Sequence, residues 1–93
     1  MALTPTERKT MKARAHKLDP VVMIGAKGLT DEVLLEIERA LDAHELIKIR
    51  APGLEREARE VAFSAICERT GGEAVQQVGK VLVLFRRKKD KDD

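Results

Sequence analysis

The sequence predicts one compact α/β domain with the element order α-β-α-β-α-β-β, in which helices pack on a four-stranded mixed sheet. Apolar residues follow helical spacing in some segments and strand-like runs or alternation in others, and glycine and proline stand between them. A chain of 93 residues suffices for one domain only. The domain is expected to span residues 1–87, and the charged residues 88–93 are expected to form a disordered tail.

The first helix is predicted to begin at a capping box. Thr4 can cap the helix, Pro5 suits the first helical position, and Glu7 completes the S/T-x-x-E pattern. The helix is expected to end at about residues 16–17, because the residue before a proline disfavours helical backbone and Asp19-Pro20 follows.

The next strand and helix flank a loop with two glycines. A continuous apolar run at Val21–Ile24 predicts a strand that is buried on both faces and central in the sheet. The loop Gly25–Gly28 ends this strand, and Thr30 is expected to cap the second helix. Five residues at helical spacing predict that helix: Val33, Leu34, Ile37, Leu41 and His44.

The second half of the chain adds three strands and a helix. Residues 46–50 alternate with period two, which predicts a strand toward an edge or with one open face. A helix is expected over residues 54–69, and strands over 74–78 and 81–85. The last strand is apolar throughout and is therefore expected to be central. The predicted inner face of the helix comprises Leu54, Ala58, Val61, Ala62, Ala65 and Ile66.

Charge is distributed unevenly along a chain whose net charge is +2. Residues 1–29 hold six Lys/Arg against two Asp/Glu, residues 30–73 six against eleven, and residues 74–93 six against three. Basic ends around an acidic middle suggest a polyanionic partner that contacts both ends. A solvated charged surface would give the same pattern, because 37% charged residues is common in soluble helical proteins.

Amino-acid composition bears on how the chain could bind a nucleic acid and on where in the cell it is expected. Two phenylalanines with no tryptophan or tyrosine argue against modules that stack bases on aromatic platforms. If the polyanionic partner is RNA, the protein must bind it mainly through backbone amides and cations. The sequence shows no signal peptide and no long apolar stretch, so a cytoplasmic protein without membrane contact is expected.

Side chains that usually carry catalysis or hold metals are few and scattered. Cys67 is the only cysteine and is expected to serve as a small hydrophobe. His16 and His44 lie 28 residues apart, and each closes a predicted helix, where the dipole favours a cation. Ser64 is the only serine and has no activating motif around it. We therefore expect no enzyme, no metal, no cofactor and no small-molecule substrate.

The loop Gly25-Ala26-Lys27-Gly28 is the strongest candidate binding site. Two glycines let the backbone turn tightly and admit a phosphate close to the amides, and Lys27 adds a cation. KH domains clamp nucleic-acid backbone with a GxxG loop, although many GxxG segments are plain turns. Asp31 and Glu32 in the first helical turn would repel an anion on the helix axis, which places the phosphate nearer Lys27.

Longer segments carry a resemblance to a known family. They are residues 15–18, 20–30, 44–49, 70–72 and 79–86. These segments resemble the CRM domain (chloroplast RNA splicing and ribosome maturation) in its stand-alone bacterial form, the YhbY-like RNA-binding family. The likeness extends from about Leu3 to Arg87, and one departure is Phe85, where the family often has tyrosine.

The resemblance implies a four-stranded sheet with helices, similar in shape to the C-terminal domain of translation initiation factor three. It also implies binding to structured RNA and, for bacterial single-domain members, association with precursors of the large ribosomal subunit. The family's loop maps onto Gly25, Ala26, Lys27 and Gly28. Its basic surface maps less tightly onto the first helix and onto Lys48, Arg50, Lys80 and Arg86.

The leading hypothesis is an RNA-binding factor for assembly of the large ribosomal subunit. The loop would hold a phosphate, and a cationic track would extend it through Lys9, Lys12, Arg14 and Lys17, with Lys80 and Arg86 as further candidates. A second hypothesis is an adaptor that docks on a ribosomal protein or an assembly GTPase through an acidic helical face. That face comprises Glu36, Glu38, Asp42, Glu57 and Glu60. A third, an enzyme acting on RNA, lacks a base, a nucleophile or a metal cage at the loop.

Overall fold

A computed structural model describes residues 3–88, in which seven elements follow the predicted order. The helices are α1 (Pro5–Ala15), α2 (Asp31–His44) and α3 (Arg56–Thr70). The strands are β1 (Val22–Met23), β2 (Leu46–Arg50), β3 (Glu73–Val78) and β4 (Val81–Phe85). The predicted α/β class and four-stranded mixed sheet are confirmed. The prediction of a disordered tail falls mainly on residues 89–93, which lie outside the described residues.

The sheet has the strand order β1-β2-β4-β3. β1 and β2 are parallel and are connected through α2, because parallel neighbours need a crossover. β4 pairs antiparallel with both β2 and β3, so it occupies the central position that its apolar sequence predicted. A register shift interrupts the β3–β4 ladder between Ala74 and Gln76.

The predicted central position of the first strand is wrong. β1 is a two-residue edge strand that pairs with β2 alone. Val22 and Ile24 are buried, whereas Val21 and Met23 are exposed. A continuous apolar run cannot distinguish a strand covered on both faces from one covered on a single face, and here helix α2 packs against one face only.

The sequence allowed two interpretations of the second strand, either a strand toward an edge of the sheet or one with an open face. β2 lies inside the sheet between β1 and β4, so it is not an edge strand. Its alternation instead reflects one partly open face, on which Leu46 is buried, Lys48 is half-buried and Arg50 is exposed.

Helices cover the two faces of the sheet unequally. On one face, α2 and α3 pack against the strands through Ile37 and Leu41 of α2 and Phe63 and Ile66 of α3. On the other face, α1 alone contributes Ala15 to a smaller cluster of buried residues. That cluster also contains Leu3, Leu46, Val75, Val83 and Phe85.

The predicted inner face of the third helix is partly wrong. α3 begins at Arg56 rather than Leu54, and its buried residues are Ala62, Phe63, Ile66 and Thr70. Ala58 is exposed, and Val61 is 70% exposed. The helix is turned so that the large Phe63 ring is buried, since an aromatic side chain removes more apolar surface from water than valine or alanine.

Local hydrogen bonds at two helix starts agree with one sequence prediction and contradict another. At α1, the Thr4 hydroxyl accepts the Glu7 N–H at 3.1 Å, and the Glu7 carboxylate accepts the Thr4 N–H at 3.0 Å, which completes the predicted capping box. The Thr4 hydrogen bonds lower the pKa of Glu7. At α3, the i,i+4 spacing of Glu55 and Arg59 predicts an ion pair, but the Arg59 guanidinium instead donates to the Leu54 carbonyl at 2.6 Å.

Arg86 joins β4 to both helices of the larger core. Its guanidinium donates to both carboxylate oxygens of Glu38, to Asp42 Oδ1 and to the Thr70 carbonyl, each at 2.9 Å. The Arg86 side chain is only 17% exposed. We name this arrangement the arginine clasp; it ties the C-terminal halves of α2 and α3 to the end of the sheet.

Loss of the arginine clasp should destabilise the fold. Arg86→Ala removes hydrogen bonds between charged groups and leaves Glu38 without its cation, so we expect the free energy of unfolding to fall by about 2–3 kcal/mol. Urea denaturation monitored by circular dichroism measures this change. Arg87→Ala is the control, because the Arg87 side chain is 73% exposed and its pair with Glu7 should contribute about 0.5 kcal/mol or less. Equal effects of the two substitutions would contradict a structural role for the clasp.

Candidate nucleic-acid interface

The loop Gly25–Gly28 leaves the end of β1 and leads into α2. The Gly28 N–H donates to the Gly25 carbonyl at 3.0 Å, which closes a tight turn. Gly28 has a φ of +79°, a conformation that favours glycine because it has no Cβ. Gly25, Ala26 and Lys27 are exposed. A Cβ on Gly25 would meet no atom within 4 Å, so this side of the loop is open to a ligand.

The tip of the loop carries backbone N–H groups that the protein itself does not use. Among residues 3–88, the N–H groups of Ala26 and Lys27 donate to no protein acceptor. Exposed backbone N–H groups beside an ammonium can bind an anionic oxygen. A shallow cleft of about 630 Å³ lies at the loop, and its lining includes the loop itself and the exposed carboxylates Asp31 and Glu32. These carboxylates would repel an anion and so favour a position nearer Lys27.

Residues 51–54 form a second loop that packs behind the loop Gly25–Gly28, which we name the glycine loop. A Cβ on Gly53 would lie 3.1 Å from the Ala26 nitrogen and 3.2 Å from its Cα, so the two backbones are in close contact. Arg59 holds this second loop through its bond to the Leu54 carbonyl. Residues 51–54 therefore fix the position of Gly25 and Ala26.

Three connections meet at the same end of the sheet. The Ile24 N–H donates to the Arg50 carbonyl at 2.7 Å, just before the glycine loop. The Ala51 N–H donates to the Lys80 carbonyl at 2.8 Å, which ties residues 51–54 to the β3–β4 hairpin. The structure therefore brings Lys27, Arg50 and Lys80 to one end of the sheet.

The predicted cations of α1 do not gather around the loop. Lys12 lines a cleft of about 170 Å³ between α1 and the open part of the sheet, together with Lys48. Arg14 lines a different cleft, beside Asp19 and His44. Lys9 and Lys17 are exposed on the helix and just after it. Lys12 and Lys48 thus lie together on the open side of the sheet, and Arg14 lies in a separate place.

Several charged residues that the sequence suggested as binding residues instead form ion pairs within the protein. Arg86 is committed to the arginine clasp, and the clasp also engages Glu38 and Asp42 of the predicted acidic face. Glu60 pairs with Arg56 at 3.5 Å. Within the described part of the chain, the exposed Glu36 and Glu57 make no ion pair, so they are the members of that face most available to a partner.

Residues that bear on catalysis lie apart from the loop. Cys67 packs against the larger core, and burial raises the pKa of its thiol, which keeps the thiol protonated at neutral pH. His16 caps the end of α1, and His44 is the last residue of α2. Over residues 3–88, no three His, Cys, Asp or Glu side chains are arranged to share a metal ion.

Each helix in the described part of the chain is too short or too polar to cross a bilayer.

Sequence reasoning overlooked three features of this end of the molecule. Gly53 belongs to a Pro52-Gly53 pair that predicts a turn, and nothing in the sequence links it to Ala26. Met23 and Val78 were assigned to strands, yet their side chains are exposed. Neither feature has a local sequence signal, because the Gly53 contact joins two separate loops and the exposure of Met23 depends on the edge position of β1 in the folded sheet.

Comparisons with known proteins agree on one family. The sequence profile of the CRS1 / YhbY (CRM) domain matches residues 3–86. A Haemophilus influenzae protein named RNA-binding protein is 45% identical over 84 residues, which cover 90% of this chain and 85% of that one. A Pseudomonas aeruginosa protein named as a probable RNA-binding protein is 39% identical over 87 residues, covering 94% and 84%. The solution structure of a Staphylococcus aureus protein, described as a candidate RNA-binding protein, superposes with a TM-score of 0.83 at 27% identity, covering 96% and 93%.

The contact between the two loops can be tested without any ligand. Gly53→Ala inserts a methyl group against the Ala26 backbone, so we expect the amide resonances of Gly25 and Ala26 to shift and the free energy of unfolding to fall by about 1–3 kcal/mol. Two-dimensional NMR and urea denaturation measure these changes. Gly25→Ala is the control for stability, because its Cβ meets open space, and it should change the free energy by less than about 0.5 kcal/mol. Unmoved Gly25 and Ala26 amides in Gly53→Ala would refute the support role.

Proposed function

Because the chain belongs to the CRS1 / YhbY (CRM) domain family, we propose that it binds RNA and that the loop Gly25–Gly28 holds an RNA phosphate. The function is binding without catalysis, in keeping with the RNA-binding names of its relatives. Contacts to phosphate position a protein on RNA but carry no sequence information. Specificity for a site would therefore depend on RNA shape or on contacts outside the loop.

The observation that carries this proposal is the unpaired pair of N–H groups at Ala26 and Lys27. They lie in an exposed turn that Gly53 supports, so the donors are in place before a ligand arrives. Preorganised donors lose little conformational entropy on binding. Lys27 adds charge at the tip, and Lys80 and Arg50 lie at the same end of the sheet.

The RNA ligand that we propose is ribosomal RNA in precursors of the large subunit. This part of the proposal rests on the resemblance of the chain to stand-alone bacterial CRM proteins, and it makes the protein an assembly factor acting in the cytoplasm. The basic α1 face suits a particle whose surface is rich in phosphate, since α1 holds four Lys/Arg against one Asp/Glu.

Charge reversal at the loop tip should abolish the phosphate contact. We expect Ala26→Asp with Lys27→Asp to weaken binding to a ribosomal RNA fragment by about tenfold or more and to lower the salt dependence of binding. Fluorescence anisotropy at two salt concentrations gives both quantities, and circular dichroism checks the fold. The matched control is Arg39→Asp with Ala43→Asp, which makes the same charge change on the exposed side of α2. Equal affinities for the loop variant and the wild type would mean that the GxxG segment is only a turn.

A second candidate function, a protein adaptor, is favoured by one observation. An almost entirely apolar cleft of about 390 Å³ lies between Leu29 and α3, and the strongly exposed Val61 lines it beside Glu57. An apolar surface with acidic neighbours suits a basic partner such as a ribosomal protein, or else an assembly GTPase. This surface lies on the helical side of the sheet, away from α1, and Gly28 of the loop also lines it.

The adaptor function predicts a separation of two activities. Glu36→Lys with Glu57→Lys should leave affinity for the RNA fragment unchanged or slightly higher, while co-sedimentation with large-subunit precursors in a sucrose gradient is lost. The reverse charge control, Arg39→Glu, should retain co-sedimentation because it makes the α2 surface more acidic. Retained particle association by the double variant would count against the adaptor.

A further inference from the structure

One cross-strand row of side chains ends the sheet beside the glycine loop. The register aligns Met23 of β1 with Arg50 of β2, Arg50 with Val81 of β4, and Val81 with Val78 of β3. We name these four residues the terminal row. Neighbouring strands lie about 4.8 Å apart, so the row spans roughly 15 Å across the full width of the sheet.

The terminal row lies on the α1 face of the sheet, but α1 does not cover it. Val81 packs at the margin of the smaller core, which fixes the face, since residues aligned across a sheet point to the same side. Met23 is 57% exposed and Val78 is 54% exposed, and Arg50 between them is exposed as well. An apolar strip interrupted by one arginine therefore meets solvent here.

The surroundings of the terminal row are cationic. The neighbouring row on the same face contains Lys48, Val83 and Gln76, and Lys12 of α1 lines the adjoining cleft. Neither row contains a carboxylate, and among residues 3–88 neither Lys48 nor Arg50 forms an ion pair. This surface attracts a polyanion and disfavours acidic groups of the protein itself.

We propose that the terminal row binds unpaired nucleobases of the RNA whose backbone is held at Gly25–Gly28, a proposal that rests on the proposed function. Met23 and Val78 contact the apolar faces of the bases, and the planar Arg50 guanidinium stacks on a base or bonds its phosphate. The assignment rests on the closeness of the terminal row to the glycine loop. Met23 lies two residues before Gly25, so one RNA strand can reach both places.

Unpaired bases fit this surface better than a duplex does. Base pairs inside a helix hide their faces by stacking, and a duplex presents phosphates and sugars to a flat surface. Lysines and arginines alone would satisfy those phosphates, whereas exposed Met23 and Val78 gain only from an apolar group. The ligand is thus expected to contain a bulge, a loop or a single-stranded end next to the phosphate at Lys27.

The test compares two labelled RNA hairpins of equal length, one fully paired and one with a three-adenine bulge. We expect the wild type to prefer the bulged hairpin, and Met23→Gln with Val78→Thr to weaken binding of the bulged hairpin by roughly fivefold while leaving the paired hairpin unchanged. Val61→Thr is the matched control, because Val61 is an exposed valine of α3, on the opposite side of the sheet. NMR spectra of each variant confirm that the fold is retained.

The outcomes separate this proposal from the function on which it rests. If the wild type binds both hairpins equally, or if the Met23/Val78 variant keeps the preference for the bulge, the terminal row is not a base site, and phosphate binding at the loop still stands. The loop variant, Ala26→Asp with Lys27→Asp, should bind both hairpins more weakly, and to the same degree. If the wild type binds neither hairpin, the proposed function fails first and the base site fails with it.

Discussion

The rest of this structure depends on one constraint, which is that the chain has too few helices to cover both faces of its sheet. Four strands present two apolar faces, and three short helices must cover them. Two helices cover one face nearly completely and bury the larger cluster, while the single helix α1 covers only part of the other. The uncovered part lies at the end of the sheet where β1 and β2 finish and where the glycine loop begins. Exposed apolar strand residues and unpaired cations therefore collect beside the loop instead of being spread over the surface.

Rigid support distinguishes this loop from an ordinary exposed turn. The Ala26 backbone rests against Gly53, Arg59 fixes the loop that contains Gly53, and Lys80 accepts the Ala51 N–H. Each contact joins neighbouring connections at one end of the sheet. A loop held in this way keeps its N–H groups aligned in the absence of a ligand, which suits a site that binds a phosphate through backbone donors.

Sequence patterns predicted the elements better than their surroundings. The capping box at Thr4, the second helix and the central position of Val81–Phe85 could be predicted because each depends on local spacing or on an apolar run. The positions of β1 and of the inner face of α3 could not, since they depend on which helix covers which face.

The candidate site likewise combines features that the sequence could predict with features that it could not. The glycine loop is visible as a motif, whereas the commitment of Arg86 to Glu38 joins residues 48 positions apart and leaves no local pattern. Likewise, a lack of aromatic residues argued for contacts through amides and cations, while the apolar terminal row appears only when four strands are aligned.

The central position of β4 also determines the order in which this protein can fold. β1 and β2 can form only a short parallel pair until β4 arrives, because β4 supplies the antiparallel partner of both β2 and β3. β4 lies about 35 residues after β2 in the chain, so its pairing closes a long loop and contributes to a high contact order. During synthesis, the strand that completes the sheet is the last one made. The chain before β4 is therefore made with the second edge of β2 unpaired, and the sheet assembles in a late, cooperative step.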